Sequence, residues 1–180
     1  MAKIMKLIAA VSLIGLAATA VGYKLTSVET LLSLAITFGT IAYHFTMRLL
    51  VGLAFDVKMK NKADCQKRWY RVGEGEAKVY EKLKVKSWKN KLPTYDESAF
   101  DPKLHTWDEI AETMCQSELV HETIVVLSFL PIFAGVWFGA YPVFIITSVL
   151  SAAYDMLFVM MQRYNRHRVI MLMERKNAAI

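Results

Sequence analysis

Long apolar runs alternate with densely charged chain: Leu7 to Tyr23, Thr30 to Phe55, Leu119 to Phe138 and Tyr141 to Met161. Each approaches the length of about 20 residues that a helix needs to cross hydrocarbon, so the pattern predicts an all-α membrane protein with four transmembrane helices. His44 and Arg48 interrupt the second run and Pro131 the third, where kinks or tilts are expected. Between the second and third runs, Val79, Tyr80, Leu83, Trp88 and Leu92 recur near helical spacing among Lys78, Lys82, Lys84, Lys86, Lys89 and Lys91. That arrangement predicts a cytoplasmic helical segment lying in the membrane interface, from Glu76 to Leu92. Pro93 to His105 lacks a sustained period and reads as an ordered loop. Thr106 with Glu109 is a capping-box signature, after which Ile110, Met114 and Leu119 mark an apolar face that continues into the third span. The expected organisation is helices 1 and 2 over 1–55, the amphipathic cytoplasmic segment over 56–118, a hairpin of helices 3 and 4 over 119–161, and a basic tail over 162–180.

With 55% hydrophobic residues the 180-residue chain is too apolar for an ordinary soluble domain. Lysine and arginine set its orientation. Lys3 and Lys6 precede the first run, the middle segment holds most of the lysines, and Arg163, Arg166, Arg168, Arg175 and Lys176 follow the last run. The connections near Lys24 and at Gly139 to Pro142 carry almost no positive charge. Both termini and the middle segment are therefore expected in the cytoplasm, in a multi-pass protein of the cell membrane. Met1 to Ala20 also resembles a cleavable signal peptide, with Ala18-Thr19-Ala20 as its small-residue site, although the later spans keep their orientation either way. The formal charge of +6 is spread over membrane-flanking segments, which argues against nucleic acid and for anionic lipid head groups as the partner. Trp69, Tyr70, Trp88 and Trp107 fit an interfacial aromatic belt. Cys65 and Cys115 fall on the cytoplasmic side and are expected as free thiols, Cys115 packing rather than serving as an acyl-accepting nucleophile.

Candidate chemistry concentrates where apolar runs meet charged chain, because ionisable groups near hydrocarbon are costly unless paired or functional. Glu118, His121 and Glu122 lie three and four apart and project from one side of the third helix. A carboxylate beside an imidazole sets its tautomer and stabilises its cation, so Glu118 and His121 are the candidate catalytic pair, with His121 as general base toward a hydroxyl. Arg48, Glu122, Arg163, Asn165, Arg166 and Arg168 are candidate substrate or donor ligands, able to hold an anionic donor such as a phosphate-bearing thioester or a developing oxyanion. His44, one turn from Arg48, with Asp155 and Glu112, is a supporting candidate. Helical rise puts these groups in one inner-leaflet layer. Two other classes compete: a metal-dependent oxidase or hydrolase built on Glu118-x-x-His121 with Glu112, Glu122 and His44, and a non-catalytic lipid-binding scaffold. A second Glu-x-x-His copy is missing, so no metal ligand is assigned.

Several segments also carry a likeness: Trp69-Tyr70, Val85-Lys86-Ser87-Trp88-Lys89-Asn90-Lys91-Leu92-Pro93, Glu112 with Glu118-Leu119-Val120-His121, and Gln162-Arg163-Tyr164-Asn165-Arg166 followed by Arg168. Over about Trp69 to Arg168 the chain resembles the glycosyl-4,4'-diaponeurosporenoate acyltransferase family of small bacterial membrane proteins. His167 stands where that family commonly has proline, and Glu122 where it commonly has a large aromatic. The resemblance implies transfer of a fatty acyl group from a thioester co-substrate, with no bound cofactor, to a hydroxyl of a lipid-linked acceptor such as a glycosylated carotenoid. Membrane lipids and that acceptor are then the expected partners, and a homodimer is compatible with the sequence.

Overall fold

The computed structural model describes residues 2–94, 96 and 98–178; Met1 of the leader-like start and Tyr95 and Glu97 of the expected loop lie outside it. All regular elements among the described residues are helical. Ala2–Thr26, Glu29–Met59, Trp107–Phe138 and Tyr141–Lys176 are long and apolar enough to cross a membrane, which makes this a membrane protein with the four spans that the apolar runs predict. The chain divides into two compact units, residues through Leu53 with Thr123–Tyr154, and Ala54–Glu122 with the residues from Asp155 onward.

In the first unit, α1 (Ala2–Thr26) and α2 (Glu29–Met59) are joined by Ser27 and Val28, with Ser27 at φ 55°. Small residues let the two helices approach, since Ala9 and Ser12 are buried and a Cβ on Gly15 would lie 2.8 Å from the Phe38 ring. α2 runs unbroken from Glu29 to Met59 through His44 and Arg48, because neither residue removes a backbone donor. Pro131 does remove one, and the helical ladder stops there. α5 (Trp107–Leu127) ends before it, a 3-10 turn covers Leu130–Ala134 and α6 (Gly135–Phe138) completes the reversal at Gly139, whose φ of 66° suits a residue without Cβ. Proline cannot give an N–H to the carbonyl of Leu127 four residues back, and the Tyr43 hydroxyl donates to that carbonyl instead, at 2.8 Å.

In the second unit, Lys60 and Asn61 take positive φ after α2, and the buried Gln116 secures this turn, accepting from the Asn61 amide at 2.7 Å and donating to Asp56 at 2.9 Å. The amphipathic segment is two short helices rather than one, α3 (Glu74–Lys82) and α4 (Val85–Trp88). Lys84 adopts the left-handed conformation between them, which turns Val85 fully inward, and the Trp88 indole donates to the Leu83 carbonyl at 3.0 Å. The N-terminus of α5 carries the expected capping box: Glu109 accepts from the Thr106 amide at 2.8 Å, and the Glu109 amide donates to the Thr106 hydroxyl at 3.3 Å. From there α5 continues without interruption into the apolar run, burying Ile110, Ala111 and Met114 against Val169 of α7 (Tyr141–Ala178). Cys65 and Cys115 are free thiols in hydrogen-bond contact, their sulfurs 2.8 Å apart.

Candidate active site

Two arginines one turn apart on α7 organise the polar interior of the second unit. Arg163 donates from Nε and Nη2 to Glu76 at 2.5 and 3.0 Å, from Nη1 to Glu118 and to the Trp69 carbonyl at 3.1 Å, and from Nη2 to the Arg71 carbonyl at 3.3 Å. These five bonds match the five donors of a guanidinium. Arg166 binds the other oxygen of Glu118 and the Tyr70 carbonyl, the latter at 2.6 Å, with its guanidinium 5.0 Å from the Tyr70 ring centroid. Arg166 and Glu118 are fully buried. A charge there is tolerable only with its counter-charge and hydrogen bonds in place, and the arrangement ties α5, α7, the turn at Trp69 to Arg71 and α3 together. Burial alone would raise the pKa of Glu76, but hydrogen bonds from Arg163 and Tyr80 outweigh it and hold the carboxyl below the usual range. Burial pushes the Tyr70 phenol up to about 12, and burial with the Glu76 contact raises Tyr80 further.

His121 faces a different carboxylate. Its Nδ1 lies 2.9 Å from Asp155 Oδ1, and its ring stacks on Phe158 with centroids 4.6 Å apart and planes 10° apart. The side chain of Asp155 is 2% exposed and that of His121 21%, so the carboxylate is enclosed while the imidazole keeps an open edge. Glu122 accepts a hydrogen bond from the Trp69 indole at 2.9 Å, and Glu112 is half-buried. Asn165 accepts from Lys89, whose ammonium lies 5.3 Å from the Tyr164 ring centroid, with the exposed Arg168 at 5.8 Å from the same ring. Burial, then the nearby charges of Arg168 and Lys86, lowers the pKa of Lys89.

His44 and Arg48 belong to the first unit, where they converge on Ser151. Its Oγ lies 3.1 Å from His44 Nδ1, 3.0 Å from Ser128 Oγ and 2.7 Å from the donating Nη2 of Arg48, while Arg48 Nη1 donates to the His44 carbonyl at 3.0 Å. Ser148, one turn earlier on α7, is fully buried with its hydroxyl unpartnered.

The spacing of Glu118 and His121 suggests a mutual pair, but the structure separates their partners. Glu118 is held by Arg163 and Arg166, while the carboxylate at His121 is Asp155. Helical proximity along α5 is overruled because two guanidinium groups compete for Glu118 and satisfy it more fully than one imidazole can. Among the described residues no three of His, Cys, Asp and Glu gather as a metal site would require. Glu76 carries no signal of its own in sequence, and Tyr70 reads there only as an interfacial aromatic and as part of the Trp69-Tyr70 likeness. Ser148 and Ser151, recurring at helical spacing within an apolar run, are the one pattern that points toward the polar stripe.

Residues 66–175, more than half of the chain, match the model of a protein family described as glycosyl-4,4'-diaponeurosporenoate acyltransferase. The matched stretch holds the arginine clamp and the His121 and Asp155 pair, whereas His44 and Arg48 precede it. No curated protein and no solved structure matches the chain.

Proposed function

The chain belongs to the glycosyl-4,4'-diaponeurosporenoate acyltransferase family, and from that premise we propose that it moves a fatty acyl group from a thioester donor to a hydroxyl of a lipid-linked, glycosylated isoprenoid at the membrane. The observation that carries the reading is the 2.9 Å contact between His121 Nδ1 and the enclosed Asp155 carboxylate, inside the matched stretch. Asp155 holds the proton on Nδ1, which makes Nε2 the basic nitrogen, and it stabilises the imidazolium that forms on protonation. Phe158 fixes the plane of the ring. His121 Nε2 takes the acceptor hydroxyl proton as that oxygen attacks the thioester carbonyl. The new C–O bond forms, the C–S bond breaks, and the departing thiolate recovers the proton from the imidazolium.

The arginine clamp supports this site without serving as a donor ligand, because its guanidinium groups are engaged with Glu76, Glu118 and backbone carbonyls. Arg168 and Lys89, arranged about Tyr164, supply the cationic charge for a phosphate-bearing donor. The lysines of α3 and α4 rest against anionic head groups, with both termini in the cytoplasm of a multi-pass cell-membrane protein.

The test is mass spectrometry of lipid extracts from cells that supply the glycosylated isoprenoid and express either wild type or His121→Ala at matched membrane levels. The expected result is a wild-type lipid heavier by one fatty acyl group and absent from the variant. Identical extracts from the two would overturn the reading.

A further inference from the structure

The chain has two cysteines, and within the second unit they meet. Cys65 lies between the end of α2 and the turn at Arg68–Tyr70, Cys115 lies on α5, and the Cys115 thiol donates to the Cys65 sulfur across 2.8 Å although 50 residues separate them in sequence. Cys65 donates in turn to the Ala63 carbonyl at 3.6 Å. The two thiols differ in exposure. Cys115 is fully buried in a cluster with Ala63, Tyr70 and Leu119, whereas Cys65 is half-buried at the edge of that cluster. Packing accounts for an enclosed cysteine, which behaves as a small hydrophobe, but not for a partly open thiol held against it. The hydrogen bond from Cys115, opposed by burial and aided by the charge of Arg166, holds the Cys65 thiol below its ordinary range. A partly open thiol with thiolate character, poised beside a second thiol that can resolve it, is the arrangement that oxidises selectively and reversibly.

We propose that Cys65 and Cys115 form a redox-modification site, which hydrogen peroxide converts to a disulfide and a dithiol reductant restores, independently of acyl transfer. Cys65 gives up its proton and its sulfur attacks one peroxide oxygen. The S–O bond forms, the O–O bond breaks, and the departing oxygen takes the Cys65 proton and leaves as water. The Cys115 sulfur then displaces the hydroxyl of the Cys65 sulfenic acid. The S–S bond forms, the S–O bond breaks, and the hydroxide leaves as a second water with the Cys115 proton. Each sulfur is oxidised by one electron and the peroxide is reduced by both. On the cytoplasmic placement proposed above, the cellular thiol pool keeps the pair reduced at rest, so the disulfide is a response to oxidant and not a permanent staple. Its position gives it a structural consequence. Cys115 stands one turn before Glu118 on α5, and Cys65 five residues before Tyr70, whose carbonyl accepts from Arg166. Oxidation therefore joins covalently the two segments that Arg166 joins by hydrogen bonds, and it restricts the unfolded chain by closing the span of 50 residues between the sulfurs.

The experiment uses the full-length protein in lipid nanodiscs, reduced, freed of reductant and then treated with hydrogen peroxide. Blocking the remaining thiols with N-ethylmaleimide during denaturation, followed by peptide mass spectrometry without reduction, is expected to find the Cys65 and Cys115 peptides linked within one chain, and dithiothreitol to return both to maleimide-reactive thiols. Cys115→Ser halts the sequence at the Cys65 sulfenic acid, which dimedone traps. Cys65→Ser leaves the enclosed Cys115 unmodified over the same time. The melting midpoint of oxidised wild type should lie several degrees above that of the reduced protein, a shift absent from both serine variants. Peroxide-treated wild type that keeps two free thiols, that carries Cys65 to the sulfinic acid without linkage, or that links only between chains overturns the inference. A linked protein that melts no higher than the reduced one overturns the structural consequence. Acyl transfer enters none of these readouts, so their failure leaves the acyltransferase reading standing.

Discussion

Glu118 and Asp155 are both almost completely enclosed, at 0% and 1% exposure, yet they sit in opposite kinds of company. Glu118 is gripped by two guanidinium groups, one of them fully buried, and those cations are otherwise engaged with Glu76 and the carbonyls of Trp69, Tyr70 and Arg71. Asp155 holds an imidazole that stays 21% exposed on its side chain. A buried carboxylate whose cations turn their other bonds to protein acceptors fastens elements together, whereas one that orients a partly open ring leaves that ring an edge to work with. On the proposed function, that difference separates scaffold from chemistry more sharply than burial or charge does, since those are shared.

Breaking the clamp is the largest change this comparison predicts. Arg166→Ala leaves Glu118 buried with half of its compensation gone, at a cost of about 3–5 kcal/mol. The variant should lose its monodisperse size-exclusion peak, and Arg166→Lys should rescue little because an ammonium lacks the planar fork. A well-folded Arg166→Ala protein that has lost only turnover would move the clamp into the chemistry.

His121→Gln probes the other side. Acyl transfer should fall about 10²- to 10⁴-fold, the usual contribution of a positioned general base, while the melting temperature stays close to wild type. Asp155→Asn should lower turnover in the same direction by favouring the wrong imidazole tautomer. Loss of fold in His121→Gln would put this pair in the same class as the clamp.

The sequence made some of this legible because the signals were local. Run length marked the four spans and Thr106 and Glu109 marked a helix start, whereas Pro131 predicts a kink or tilt and in fact ends the α-helix. The break at Lys84 was hidden, because lysine has no preference for the left-handed conformation and only the inward turn of Val85 requires it. Site partners were hidden for a related reason. Helical spacing put Glu118 beside His121, but which carboxylate an imidazole meets depends on what else competes for it. The arginines of α7 are 45 and 48 residues from Glu118. Ser151 showed only as part of a serine spacing in an apolar run, and its three partners are what set it apart.

Tyr43 extends the comparison to a neutral hydrogen bond. Tyr43→Phe removes the hydroxyl that satisfies the part-buried Leu127 carbonyl where Pro131 cannot, and an acceptor left unsatisfied costs up to about 1–3 kcal/mol. Thermal unfolding in detergent should report that loss with acyl transfer retained at temperatures where the variant is folded. No change in stability would mean that water supplies the bond.

The smallest effect is a pH signature that belongs to the scaffold alone. Glu76 is held below its ordinary range by Arg163 and Tyr80 against the opposing pull of burial. A carboxylate whose folded pKa is depressed contributes stability above its unfolded pKa of about 4.3, and loses that contribution as pH falls through the lower folded value. Unfolding midpoints followed by tryptophan fluorescence should therefore drop on acidification below about pH 4.3. Glu76→Gln, which has no proton to take up, should start from a slightly lower midpoint at neutral pH and show a flatter acid limb. Glu76 is 30% exposed on its side chain, so solvent screening keeps the effect modest. An acid limb as steep in Glu76→Gln as in wild type would assign the pH dependence to another carboxylate of the clamp, with Glu118 the next to substitute.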